Sequence, residues 1–277
     1  MKPAAACHLT LILLAALAGR LSAAEPISLG AELEVRPLAS GVWLVVHRFP
    51  GECNSLLVQC DPNHFVWVDT PCTNEATQQV HQWLQRTFGA PDVIQINTGF
   101  HNDNLAGNGY LLAQGVPCYG SDLTPRLIAE CWPKTVRKVL PYYERRPDKK
   151  YRDTLLSQKL VPPNKLYPLA EGLTLSIGSE TIEVYFPGAS HTVDNVIVYF
   201  RSRRLLYGGC MIKAIAARSP GFTGDADMAA WPHSVQKVLE RYPAAHLVVP
   251  GHGPAGDLSL VRHTIDLCER HNKRNNL

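Results

Sequence analysis

Short apolar runs broken by polar or glycine-marked turns recur along the chain. Val42 to Val46, Ser55 to Val58 and Phe65 to Asp69 are rich in β-branched and aromatic residues and predict three successive strands. The period then lengthens: Val80, Trp83, Leu84 and Phe88 fall on one helical face, after a cap at Thr73 or Asn74 and before a stop at Gly89. Val93 to Asn97 predicts a short buried strand. Thr124-Pro125 has the form of an N-cap with proline at the first helical position, opening a polar, mostly helical segment that runs to about Leu160 and is interrupted by Pro133 and Pro141. Such an excursion is either surface decoration or the wall of a site.

The second half repeats the plan. Leu173 to Ile177 and Thr181 to Phe186 predict a hairpin turning at Gly178-Ser179. Asn195 to Phe200 and Arg204 to Tyr207 predict another strand pair. A helix from about Asp227 carries Trp231, Val235, Val238 and Leu239. The strand His246 to Val249 precedes a last helix, capped by Asp257, with Leu260, Val261 and Leu267 inward. Two such halves predict an α/β fold of face-to-face sheets with helices outside, in one domain over residues 25–277 with internal pseudo-symmetry.

The first residues follow a different rule. Lys2, the apolar run Leu9 to Leu17 and the small residues Ser22-Ala23-Ala24 form a secretory signal over residues 1–24, too short to span a bilayer. Cys7 precedes the apolar run instead of following it, which argues against a lipid anchor. Loss of Lys2 and Arg20 lowers Lys+Arg from 27 to 25 against 24 acidic residues. That balance argues against a nucleic-acid partner. The basic cluster Lys134, Arg137, Lys138, Arg145, Arg146, Lys149 and Lys150 is read as a solvated helix face, with attraction of anionic substrates or envelope components as the alternative. Seven cysteines remain after Cys7. With Cys210 set aside as a ligand candidate, Cys53, Cys60, Cys72, Cys118, Cys131 and Cys268 leave the disulfide pattern open.

Candidate chemistry gathers where strands end in loops. His101-Asn102-Asp103 follows the strand ending at Asn97; His191 follows Phe186-Pro187-Gly188; Cys210 follows Tyr207-Gly208-Gly209; His252 lies between Gly251 and Gly253. Imidazole, carboxylate and thiolate together suit zinc. His47, His64, His81, His233, His246, His263 and His271 sit in strand, helical or surface-like settings and receive no role.

These motifs resemble those of the metallo-β-lactamase family. Thr98 to Asn108, Gly188 to Asn195 with Val198-Tyr199-Phe200, Gly208 to Lys213, and Pro250 to Gly253 are similar to its four metal motifs, and Asp69-Thr70-Pro71 to its buried Asp turn. The Gly-Gly-Cys-x-Ile-Lys element is the specific one. The resemblance implies an αβ/βα sandwich with two central mixed sheets, and a secreted, periplasmic, monomeric hydrolase that opens β-lactam antibiotics. By it, Asp103, Cys210 and His252 hold one zinc. His101 and His191 belong to a second, three-histidine site, Lys213 meets the substrate carboxylate, and Asp69 braces the metal loop without being a ligand.

Gly99 departs from the family, which places His or Asn there. Two imidazoles remain, so the second zinc is expected to be weak or absent, and His101 or Asp103 to hold and deprotonate a water as catalytic residue. The short Val46–Ser55 loop and the long helical excursion resemble the carbapenem-selective, single-zinc group. Phe222 stands where relatives place an Asn that polarises the lactam carbonyl. Gly99 and Phe222 leave two alternatives: a hydrolase of another ester, lactone or thioester, or a non-catalytic zinc-binding envelope protein.

Overall fold

The computed structural model describes residues 25–276, so the expected signal sequence lies outside the described residues. Eight strands form one sheet in chain order: β1 (Ile27–Gly30), β2 (Leu33–Ala39), β3 (Val42–Arg48), β4 (Glu52–Asp61), β5 (His64–Val68), β6 (Asp92–Ile96), β7 (Cys118–Ser121) and β8 (Lys165–Tyr167). The first five are antiparallel and the rest parallel. A second sheet has the order β13 (Leu247–Pro250), β12 (Leu205–Gly209), β11 (Ile197–Phe200), β10 (Glu180–Tyr185), β9 (Leu173–Ile177), with only the β12–β13 pair parallel.

Alternation along the strands dictates the layers. Val42, Leu44, Val46, Leu56, Val66 and Val68 point from the first sheet into a core shared with Ile182, Val184, Val198, Phe200, Tyr207 and Val249 of the second. Val45, Leu57, Phe65 and Trp67 face the other way, against Val80, Trp83 and Leu84 of α1 (Asn74–Phe88). Ile197, Leu206 and Val248 pack outward on α7 (Trp231–Arg241) and α8 (Ser259–Asn275). The result is the expected sandwich of helix, sheet, sheet and helix.

Several local expectations hold and several need correction. Thr73 caps α1 by accepting the Ala76 N–H at 3.1 Å, and Gly89 closes it at φ 72°. Thr124 is not an N-cap: it lies inside α4 (Thr124–Glu130), capped by Leu123, and gives its hydroxyl to Asp194 at 2.8 Å. Pro133 opens α5 (Trp132–Glu144) instead of interrupting it, and Pro141 lies within the same helix. Leu258, not Asp257, occupies the cap of α8, although the Asp257 carboxylate accepts the Ser259 N–H at 2.7 Å. Among the described residues, no helix is long and apolar enough to cross a membrane.

Candidate metal centre

Parallel pairing of β12 with β13 aligns Tyr207 with Val249 and Gly209 with Pro250, so the loops after both strands leave the sheet side by side. The Gly251 N–H donates to the Gly209 carbonyl at 2.7 Å, and a Cβ at Gly251 would lie 2.7 Å from the Gly209 carbonyl carbon. Only glycine permits that approach. It sets Cys210 beside His252, whose Nε2 lies 3.7 Å from the Cys210 Sγ. The His252 ring is aimed from behind by its Nδ1–H, which donates to the Glu52 carbonyl at 2.6 Å.

The third group comes from the other sheet. Beyond β6 the chain turns through Thr98-Gly99 into α2 (Asn102–Leu105), whose first turn carries Asp103. Asp103 Oδ2 lies 3.3 Å from the Cys210 Sγ and 3.1 Å from the His252 Nε2. Zinc–ligand bonds of about 2.0–2.3 Å at tetrahedral angles place donor atoms about 3.3–3.6 Å apart. The triangle matches that requirement within about 0.2 Å, so the donor set and its spacing both fit zinc. Burial raises the Asp103 carboxyl, but His252 and His101 outweigh it and hold the group well below the usual range. Burial, then the Asp103 charge, pushes the Cys210 thiol up. A cation among these donors reverses that balance and favours the thiolate.

His101 and His191 are adjacent, with ring centroids 5.1 Å apart, yet neither joins a group of three convergent donors among the described residues. His101 Nε2 is taken by Asp225 Oδ2 at 3.0 Å, leaving Nδ1; the buried His191 Nδ1 has no hydrogen-bond partner. Asp225 is held in turn by Thr135 and by Lys138, the latter at 2.7 Å. The sequence alone gives Asp225 no role; it lies three residues after Phe222 in the same loop. At Gly99 a Cβ would stand 2.5 Å from Asn195 Nδ2 and 3.2 Å from Asn104 Oδ1. A side chain at 99 would press on the ends of Asn195, Asn104 and Thr192, and these would have to shift to admit it.

Asp69 is fully buried behind this loop. Its carboxyl meets the Thr98 N–H at 2.8 Å, the Thr98 hydroxyl at 2.7 Å, the Asn104 amide at 2.9 Å and the Tyr207 hydroxyl at 2.9 Å. Burial raises it to about 8 against those partners. The Tyr207 hydroxyl also reaches the Asn54 carbonyl at 2.7 Å, so Asp69 links the two sheets at the foot of the metal loop. It touches none of the three donors itself; Asn104 stands between it and Cys210.

A cavity of about 280 Å³ opens over the triangle. Lys213 lines its floor, with Nζ 5.1 Å from the centre of the Trp231 ring, and burial pulls its ammonium pKa down. Phe222 faces both His101 and His191, at 6.0 and 6.4 Å between ring centres. The helical excursion forms the opposite wall through Trp132, Val139 and Tyr143 of α5 and Leu155 of α6 (Lys150–Ser157), so it is more than surface decoration. The β3–β4 turn spans only Phe49 to Gly51.

No protein-family model matches the chain. Curated relatives do. It is 31% identical over 242 residues to the metallo-beta-lactamase type 2 of Pseudomonas aeruginosa, covering 84% of this chain and 83% of that one. To the protein of the same name from Bacteroides fragilis it is 30% identical over 204 residues, or 74% and 70% of the two chains. Among solved structures, the metallo-beta-lactamase from Pontibacter korlensis superposes with a TM-score of 0.71 at 33% identity, covering 86% of this chain and 99% of that one. DIM-1 metallo-beta-lactamase gives 0.71 at 28% identity, with 87% and 98% covered. A sandwich of this topology, metal-type donors converging at the ends of its strands, and relatives matched over most of their length lead to one assignment: the chain belongs to the metallo-β-lactamase family.

Proposed function

We propose that this protein is a zinc-dependent β-lactamase working with a single ion at Asp103, Cys210 and His252, and that it prefers carbapenems. The observation that carries the reading is the donor triangle on the floor of a cavity that also holds Lys213. Zinc, when bound, supplies a Lewis acid for activating water and for the amide nitrogen released as the ring opens. The Lys213 ammonium meets the substrate carboxylate as a point charge. His101 is the general base: Asp225 holds its Nε2–H and stabilises the imidazolium, while Nδ1 takes the proton from the attacking water. Asp103, engaged with Cys210 and His252, is the poorer base.

Purified protein is assayed with a carbapenem, a cephalosporin and a penicillin, with and without added zinc. Turnover that rises with the first equivalent of zinc is expected; full zinc loading with no turnover of any of the three overturns the reading. The cavity is at the small end of ligand sites, which run from about 300 to 1,000 Å³. The α5–α6 wall therefore favours a compact bicyclic substrate over one with bulky side chains. A kcat/KM at least about tenfold higher for the carbapenem is expected, and equal values refute the preference.

Asp225→Asn is expected to lower kcat by about 10–100-fold while one tightly bound zinc is retained. Unchanged kcat, or loss of that zinc, refutes the role of Asp225 as partner of the base. Gly99→His sets a Cβ against the Asn195 amide, which must shift to admit it, and is expected to cost about 1–3 kcal/mol in stability. A Tm equal to that of the parent would contradict this. Secretion to the bacterial periplasm as a monomer, with residues 1–24 removed, completes the proposal; the mass of the mature protein tests the cleavage.

A further inference from the structure

We propose that Cys53 and Cys72 form a disulfide, a covalent staple beneath the metal centre. Among the described residues six cysteines lie outside the donor triangle, and the fold separates four of them: Cys60 in the core between the sheets, Cys118 on β7 facing α1, Cys268 on the inner face of α8, and Cys131 at the joint between α4 and α5. Cys53 and Cys72 alone share a cluster, packed with Phe49 and Tyr151, and their Sγ atoms are 3.1 Å apart. The sulfurs need move only about 1 Å closer to bond, within the reach of side-chain rotation.

A metal is the competing use of this cluster, because a His47 nitrogen lies within 4.8 Å of both sulfurs. His47 Nδ1, however, accepts the Cys72 backbone N–H at 3.1 Å and is spent. Only its Nε2 is left beside two sulfurs already closer than the roughly 3.8 Å separation of two zinc-bound thiolates. The geometry therefore favours sulfur–sulfur bonding.

Both thiols are buried, so the bond forms as the chain folds. A small-molecule or protein disulfide is the oxidant. One cysteine thiolate attacks it, releasing a thiol and leaving a mixed disulfide; the second cysteine then displaces the other thiol. Two protons and two electrons pass from the cysteine pair to the reduced oxidant.

The position gives the staple a purpose. Cys53 lies between Glu52, whose carbonyl aims His252, and Asn54, whose amide donates to the Pro250 and Gly253 carbonyls, both at 2.8 Å. Cys72 follows Asp69 and Thr70, which grip the His101–Asn108 segment from the other side: Asp69 accepts the Asn104 amide and Thr70 the Gly107 N–H, both at 2.9 Å. The bond would tie together the two backbone segments that support opposite sides of the triangle.

The zinc-loaded full chain, refolded from urea in a glutathione disulfide–glutathione buffer, is alkylated under denaturing conditions and mapped by mass spectrometry. A linked peptide pair containing Cys53 and Cys72 is expected, with a Tm about 5–10 °C above that of the same protein reduced. Full alkylation of both cysteines, or their linkage to other partners, overturns the proposal. So does a tightly held zinc in Cys210→Ser that is lost on adding Cys72→Ala, which would assign the cluster to a metal.

Discussion

Cys210→Ser is expected to weaken zinc binding by more than about 100-fold and to bring β-lactam hydrolysis to background at one equivalent of metal. The thiolate is the softest donor of the triangle, a buried corner of it 3.3 Å from Asp103 and 3.7 Å from His252. Serine keeps the size but stays protonated, leaving a carboxylate and one imidazole to hold the ion. Loss of a group that merely supports a ligand costs about 10–100-fold in affinity, so loss of the ligand itself must exceed that. His101→Ala supplies the contrast. It lies outside the triangle and is expected to keep one tight zinc while losing turnover. Competition with a chelator, read beside kcat, separates the two variants. Cys210→Ser with undiminished affinity would sink the metal assignment, and equal zinc loss in both variants would sink the single-ion scheme.

Asp69→Ala is expected to destabilise the zinc-free protein by about 3–5 kcal/mol, lowering Tm by on the order of 10 °C. Four polar groups converge on this carboxyl in a site with 0% exposure: two from Thr98, one from Asn104 and one from Tyr207. Alanine leaves them facing a void too small and too closed to hydrate all of them. Measuring the apo form matters, because it separates the scaffold from any change in metal affinity. A Tm within about 2 °C of the parent would show that Asp69 does not hold the loop. Retained stability with lost zinc would instead make it part of the metal site.

Much of the fold was legible because burial leaves a period in sequence. Val42, Leu44 and Val46 alternate with Trp43 and Val45, and the two sets do face opposite layers. Four strands are not announced. β1 is an almost wholly exposed edge, β7 and β8 are four and three residues long, one of them containing Gly120, and β2 alternates only over Leu33 to Val35 before Pro37 breaks the pattern. The site residues were visible as ligand-type side chains after apolar runs, and the structure brings Asp103, Cys210 and His252 together. What orients them was not visible. The Glu52 partner of His252 is a backbone carbonyl, which no residue type announces. The contact of Asp225 with His101 crosses 124 positions of chain and reads locally as one acidic residue in a glycine loop. Gly99 could be seen as a missing ligand, but the Asn195 amide packed against it is purely three-dimensional.

That packing constrains how the protein can change. Asn195 Oδ1 accepts the Thr192 N–H at 2.7 Å and its Nδ2 donates to the Thr98 carbonyl at 3.1 Å, so it cannot be moved without loosening the turn that carries His191. A side chain at 99 has to be admitted by a shift of Asn195, and the cost of that shift falls on the turn. A third imidazole therefore asks for a rearrangement as well as a new side chain. Under antibiotic selection, improvement by single steps would accumulate in the α5–α6 wall and around Phe222, whose side chains can be exchanged one at a time.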